Sequence, residues 1–481
     1  MSNLKKQGLR ALIWDLVGKL SSQGVSFIVT IVLARLLDPS DFGLIAMIMV
    51  VVGMAQVFTD IGLGGALIQK NDVSQTHYSS VFFFNLSVAS LLSLLMFIFA
   101  ENIATFYNLE QLLTLIKVVC VIFIFNALGS VQIARLRKQL NYALIAKAGV
   151  ISSVFSGFVG IAMATYEFGV WSLVAQILSQ SLLNSMLLWL FSRWRPAYSF
   201  SIQSLKELWT FGFRMFLSGL LDAIYSRLDY LIIGKIFPPV TLGYFQRAKQ
   251  FNSLIIQYTS GSLMSVLFPV LSQIKNNLPR FQVVILNALH VLSFVTFLLL
   301  GGLYLLAEEV VLFLFTEKWL PTVHYMKLLL LSGFGYPLGA LLVNILSSRG
   351  NSKAFLKLEL IKKAVHTINF INAIYFGLNS YLYGLVITTI IGISLNVTFA
   401  AREIQLPSLS FFKPIIVQMA VCCVGVTATL FVNDFVAKGY LIAFFLKGFT
   451  FFILFLGLNF IFRTKSYEVI CEKVSTIIIR N

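Results

Sequence analysis

Charged side chains stand inside stretches of this sequence that are otherwise apolar: Lys19, Arg214, Asp222, Arg227, Asp229, Arg247, Lys249 and Glu359. A charge at the centre of a bilayer costs at least about 2.5 kcal/mol, so such groups face a protein interior or a water-filled cavity. Their spacing marks the helix faces. Asp15, Lys19, Ser22, Gln23, Ser26 and Thr30 recur at three- and four-residue steps, as do Arg214, Ser218, Asp222, Ser226 and Asp229, with Arg227 off that line. Tyr244, Gln246, Arg247, Lys249 and Gln250 open a further segment that carries Gln257 and Tyr258, and Glu359, Lys362, His366 and Asn369 share one face of another. Together these predict a polar cavity between lobes, basic on balance. Asp15 with Lys19, and Glu359 with Lys363, equally fit ion pairs between turns. His366 reads as a satisfied polar group, and Arg10, Lys353 and Lys357 as cations that snorkel to the headgroups.

Catalytic groups are not in evidence in the sequence. It has no glycine-rich phosphate loop and no histidine or carboxylate cluster with metal-ligand spacing. Glu308 and Glu309 are adjacent and cannot both face one substrate from a helix. Cys120, Cys422, Cys423 and Cys471 show neither metal-ligand nor disulfide spacing. The expectation is therefore no enzyme, no metal and no cofactor. A formal charge of +17 invites nucleic acid, but the basic residues sit in short segments between apolar runs rather than on one surface, so no nucleic-acid partner is expected.

The elements that must position these residues are membrane helices. Hydrophobic residues make up 58% of the 481 and charged residues 11%, and stretches of the roughly 20 apolar residues that a bilayer core demands run from Leu12 to Phe462. The predicted fold is an all-α polytopic membrane protein of about fourteen helices, near 12–36, 42–59, 78–100, 112–134, 145–166, 169–192, 207–236, 242–270, 282–306, 324–347, 354–377, 380–401, 414–433 and 439–462. Lys5, Lys6 and Arg10 precede a first stretch that runs to Leu37 without a cleavage site, which reads as a retained helix. Lys and Arg accumulate on alternate connections, including Arg135, Arg137, Lys138, Arg193, Arg195, Arg463 and Lys465. The opposite connections hold Arg35, Lys235, Lys318 and Lys438 beside Glu101, Glu110, Glu167, Glu308, Glu309 and Asp434. By the positive-inside rule both termini are expected in the cytoplasm.

An internal repeat is visible at an offset of about 200 residues. Val32-Leu-Ala-Arg-Leu-Leu-Asp-Pro-Ser-Asp-Phe-Gly43 aligns with Ile232-Ile-Gly-Lys-Ile-Phe-Pro-Pro-Val-Thr-Leu-Gly243, pairing Arg35 with Lys235, Pro39 with Pro239 and Gly43 with Gly243. Gly18, Ser22 and Ser26 correspond in the same way to Ser218, Asp222 and Ser226. An even number of helices separates the copies, so both enter the membrane in one direction and the repeat is parallel, about an axis along the membrane normal. The predicted organisation is an N-terminal lobe over 1–192, a cytoplasmic linker over 193–206, a C-terminal lobe over 207–402, and an appended helix pair with a cytoplasmic tail over 403–481.

Leu33-Ala-Arg-Leu-Leu-Asp-Pro-Ser-Asp-Phe-Gly-Leu-Ile-Ala-Met47, followed by Phe58-Thr-Asp-Ile-Gly-Leu-Gly-Gly-Ala-Leu-Ile-Gln69, resembles the polysaccharide transporter family of Wzx-type flippases in the multidrug/oligosaccharidyl-lipid/polysaccharide superfamily, most closely the colanic acid and teichuronic acid exporter branch. The resemblance implies a multi-pass protein of a bacterial inner membrane that carries an undecaprenyl-pyrophosphate-linked repeat unit outward by alternating access, for exopolysaccharide, O-antigen or capsule. It implies membrane lipids as surroundings, and a polysaccharide polymerase and chain-length machinery as partners. Arg35, Pro39, Gly43, Asp60 and Gly62 match the family motif in a structural role. By position, Lys19, Arg214, Arg227, Arg247 and Lys249 would hold the pyrophosphate, and Asp222, Asp229 or Glu359 would take a coupling Na⁺ or H⁺. The runner-up readings are a cation-coupled multidrug exporter, which would prefer an acidic cavity, and a non-transporting membrane scaffold, which would need no polar stripes.

Overall fold

The computed structural model describes residues 2–256, 267, 270–433 and 440–480, and among them there is helix and no strand. The chain divides into two compact units, Met1–Gly243 and Tyr244–Asn481. The first holds α1 (Ser2–Leu36), α2 (Pro39–Ala55), a 3-10 turn at Gln56–Thr59, α3 (Leu63–Gln69), α4 (Gln75–Ile98), α5 (Ala100–Tyr107), α6 (Gln111–Val119), α7 (Ile122–Lys138), α8 (Tyr142–Thr165), α9 (Val170–Ser192) and α10 (Ile202–Ile236). After α11 (Pro239–Ile256), the second holds α12 (Leu278–Leu305), α13 (Ala307–Leu314), α14 (Pro321–Gly333), α15 (Gly335–Arg349), α16 (Ser352–Glu403), α17 (Ser408–Asn433), α18 (Tyr440–Ile461) and α19 (Lys465–Arg480).

Eleven described helical stretches are long and apolar enough to cross a membrane. The expected fourteen return when α16 is divided at Gly377, whose φ of +85° interrupts the helix, and when α10, with seven charged residues, and α11 are added. Two boundaries differ from expectation. The segment 112–134 is two helices, α6 and α7, that meet at Cys120 and Val121, and the segment 324–347 divides between α14 and α15 around Phe334. Outward-facing side chains such as Phe158, Phe445, Phe449 and Ile461 are at least two-thirds exposed, as on a surface solvated by lipid.

Within the first unit, small residues bring helix backbones together. A β-carbon built on Gly18 would lie 2.4 Å from that of Ala146, and one on Gly157 would lie 2.4 Å from Val29, so α1 lies close along α8. Ser22, on the predicted polar stripe, sits at this contact opposite Gly149. The linker after α9 is fastened to α4. Ala197 and Ser201 donate backbone N–H groups to the buried hydroxyls of Ser79 (2.9 Å) and Ser80 (2.8 Å), and the Trp194 indole donates to Gln75 (2.7 Å). Trp194 also packs with Leu63, Leu67, Val81, Phe82, Val131 and Leu208 in one apolar cluster.

The repeat is visible as a reciprocal contact. A β-carbon on Gly43 would fall 1.8 Å from the Pro239 carbonyl oxygen, and one on Gly243 would fall 2.0 Å from the Pro39 carbonyl oxygen. Residue i touching j while its equivalent touches i's equivalent is the signature of two-fold related copies. Each turn leads to a proline in the first turn of the next helix. At Asp38 the backbone has φ −92° and ψ 154°, and its N–H donates to the Asp41 carboxylate at 3.1 Å. Replacing Gly43 by alanine is expected to cost about 1–3 kcal/mol or more through overpacking. Gly457→Ala, at an open helical position, is expected to be neutral or slightly stabilising. Unfolding midpoints of the purified variants in detergent would check this, and equal midpoints would contradict it.

Candidate functional site

The polar interior of the first unit runs along α2 and the 3-10 turn that follows it. Arg227 of α10 lies flat on Gly53, where a β-carbon would fall 2.0 Å from its Cζ, and its Nη1 donates to the Met49 carbonyl at 2.9 Å. One turn on, Gln56 donates to Thr59 (2.8 Å) and accepts from Asn126 (3.0 Å), whose own carbonyl accepts from Ser181 at 2.5 Å. Asp60 continues the line, accepting from the Gly64 N–H (3.0 Å) and from Asn85 (3.2 Å), which also donates to Ser130 (3.3 Å).

Sequence-predicted residues take several environments. Lys19 is exposed and bound to Asp15 at 2.5 Å, so that pair is the between-turn ion pair, and its helix packs on α8 while α10 packs on α2 and α3. Asp222 is exposed, and Asp229 is buried with its Oδ1 accepting from the Tyr230 N–H at 2.9 Å. The side chains of Arg214 and Ser218, and all of Gln257, Tyr258, Asp434 and Lys438, lie outside the described residues. In the second unit, Arg247 is buried and donates to Gln250 at 2.6 Å, and Lys249 stands 5.9 Å from the centre of the Phe245 ring. Glu359 pairs with Lys362 at 2.6 Å, a three-residue step where Lys363 was the expected partner. Gly62, with φ +72°, presses on α10 where a β-carbon would meet the Gly212 carbonyl at 2.3 Å, which gives that motif residue a packing role.

Sequence reasoning missed Gln56, Asn85, Asn126 and Ser181, which are amides and a hydroxyl rather than charges and lie far apart in the chain. It also missed the ion pair of Glu309 on α13 with Lys447 on α18, both largely buried. Lys447 was detectable as a lone cation inside an apolar run; its partner was not. The second unit further contains an apolar cavity of about 550 Å³ between α12, α14, α16 and α17, walled by residues such as Phe297, Leu330, Phe334, Ile390, Ile415 and Met419.

The fold matches that of a structure titled lipid II flippase MurJ, inward closed conformation, with a TM-score of 0.71 at 17% identity, over 94% of this chain and 99% of that one. The chain belongs to the polysaccharide biosynthesis protein family, whose model matches residues 32–324. It is similar to the succinoglycan biosynthesis transport protein ExoT of Rhizobium meliloti (28% identity over 64% of this chain) and to the teichuronic acid biosynthesis protein TuaB of Bacillus subtilis (28% over 58%). The matches span 62% and 58% of those relatives' lengths.

The Glu309–Lys447 pair generates a prediction for stability. Removing one partner leaves the other charge buried alone, which costs about 3–5 kcal/mol, whereas removing both with apolar replacement is nearly neutral. Glu309→Gln alone is therefore expected to lower the unfolding midpoint in detergent far more than Glu309→Gln combined with Lys447→Met; additive losses would contradict a coupled pair.

Proposed function

We propose that this chain is a flippase that moves an undecaprenyl-pyrophosphate-linked oligosaccharide repeat unit from the cytoplasmic to the periplasmic leaflet of a bacterial inner membrane. Transport is by alternating access, with both termini in the cytoplasm, and it supplies exopolysaccharide, O-antigen or capsule synthesis. Membership of the polysaccharide biosynthesis family is the observation that carries this reading, and the MurJ-like fold supports it. A transporter rather than an enzyme suits a chain whose charged groups are spread along membrane helices.

Such a substrate joins an anionic diphosphate to a polar glycan and a long apolar chain. Arg227, with Arg214 on the same helix and Lys19, Arg247 and Lys249, supplies cations that bind a diphosphate by charge-assisted hydrogen bonds, the planar guanidinium in bidentate fashion. Arg227 gives up the single Met49 carbonyl to do so. The amides and hydroxyls of Gln56, Asn126 and Ser181 suit a glycan. The prenyl tail needs only an apolar surface, which lipid provides. With the cytoplasm negative, each negative charge carried outward gains about 2.3 kcal/mol per 100 mV. Asp222, Asp229 or Glu359 binds a coupling Na⁺ or H⁺ as the lobes reset, and the product passes to a polysaccharide polymerase and chain-length machinery.

Complementation tests this reading. Deleting the gene in its host is expected to trap lipid-linked repeat units in the inner leaflet and abolish polymer, and the wild-type gene to restore it. Arg227→Ala, Arg214→Ala and Arg247→Ala are expected to reduce polymer about tenfold or more at normal protein levels, as loss of a charge-assisted contact requires. Unchanged polymer with reduced efflux of cationic dyes would overturn the reading in favour of a drug exporter.

A further inference from the structure

A second cavity, of about 600 Å³, lies in the second unit among α12, α17, α18 and the start of α19. Its composition is split. At one end stand Lys413 in the second turn of α17, Arg463 in the turn after α18 and Lys465 at the start of α19, all exposed, and no carboxylate is among the described residues that line it. The rest is a trough of Val417, Ala420, Val421 and Val424 from α17 facing Leu458 of α18 and Phe462 just beyond it. Lys413 and the four α17 residues recur at three- and four-residue steps, so they form one helix face about 16 Å long at 1.5 Å per residue.

The cationic end is built rather than incidental. Between α18 and α19 the chain turns sharply through Arg463, whose φ is +44°. That turn is held from within by buried side chains. Gln418 donates to Asn459 at 2.7 Å, the Thr464 hydroxyl donates to the same Asn459 oxygen at 2.5 Å, and Asn459 itself donates to the Phe455 carbonyl at 2.9 Å. Ser466, almost fully buried, is hydrogen-bonded to His290 of α12 at 2.9 Å. The network fixes Thr464 and Ser466 inward, and leaves the alternating Arg463 and Lys465 at the mouth beside Lys413.

We propose that this cavity is a binding site for one anionic phospholipid of the leaflet that faces the α18–α19 turn, its headgroup phosphate held by Lys413, Arg463 and Lys465 and one acyl chain lying in the α17–α18 trough. Basic pockets between membrane helices recognise anionic headgroups in this way, and the charge complementarity with the apolar trough excludes a free sugar or a cationic ligand. A role in setting topology alone would use the three cations and have no use for the trough. The site is independent of the transport reading, and its test has no transport readout.

The test uses the full-length chain, purified and delipidated in neutral detergent, with lipid adducts counted by native mass spectrometry and unfolding midpoints measured beside them. Phosphatidylglycerol is expected to bind as a single tight adduct and raise the midpoint, while phosphatidylethanolamine and inorganic phosphate do neither. The K413Q/R463Q/K465Q variant is expected to lose about tenfold or more of the phosphatidylglycerol affinity, as is V421W, which fills the trough and keeps the cations. The charge-retaining K413R/R463K/K465R variant is expected to keep most of it. Equal binding of the two phospholipids, an unchanged affinity in V421W, or protection by inorganic phosphate as strong as by phosphatidylglycerol would each overturn the assignment.

Discussion

The first unit depends on how closely α10 can lie along α2 and α3, and glycine sets that distance. Gly62 meets the Gly212 carbonyl, Gly53 lies beneath the Arg227 guanidinium, and Gly43 and Gly243 each lie against the carbonyl of the other copy's proline. Gly212 and Arg227 lie along α10 and the proline contact falls at the start of α11; backbone stands at the β-carbon positions of Gly62, Gly43 and Gly243, so a side chain there would push the helices apart. Because lipid tails are as apolar as leucine, packing of this kind rather than expulsion of apolar surface from water holds membrane helices together. The Gly43 end of the motif is therefore a packing contact with the start of α11, while Gly62 sets how near α10, which carries Arg227, can lie.

A bilayer makes an unpaired polar group costly, and the interior meets this constraint with short chains of hydrogen bonds. Gln56, Asn126 and Ser181 satisfy one another, Asp60 is held by Gly64 and Asn85, and Glu309 is matched by Lys447. Arg227 differs in kind. A guanidinium has five N–H donors, and the one on Nη1 that meets Met49 satisfies a carbonyl that an intact helix already bonds. An anion arriving at this position would gain a planar donor array, and the carbonyl released would keep its helical partner. That asymmetry makes Arg227 the most economical of the nominated cations to recruit for substrate.

The fold was legible in the sequence because apolar run length and polar punctuation both report on the bilayer. Fourteen segments and the Pro39–Pro239 and Gly43–Gly243 pairs followed from pattern alone. The break at Gly377 was legible too, falling where the expected segments 354–377 and 380–401 meet, whereas those at Cys120–Val121 and Phe334 were hidden because their residues are as apolar as the flanking helices. At the site, charges were found and neutral polar groups were not, since an asparagine in an apolar run carries no sign that identifies its partner. Gln56 lies 70 residues from Asn126, and Glu309 lies 138 from Lys447, so only the folded chain joins them. Lys362 and Lys363 each stand about one turn from Glu359, and side-chain direction rather than spacing chose Lys362.

Transport of a lipid-linked diphosphate is the central claim, and reconstitution tests it most directly. The purified chain would be placed in vesicles whose inner leaflet carries a fluorescent prenyl-pyrophosphate oligosaccharide, and arrival of the label in the outer leaflet followed by quenching with a membrane-impermeant reagent. The account predicts arrival much faster than in protein-free vesicles, and a return to the protein-free rate with Arg227→Ala. Arrival no faster than without protein, under the applied membrane potential and with Na⁺ or a proton gradient present, would contradict it.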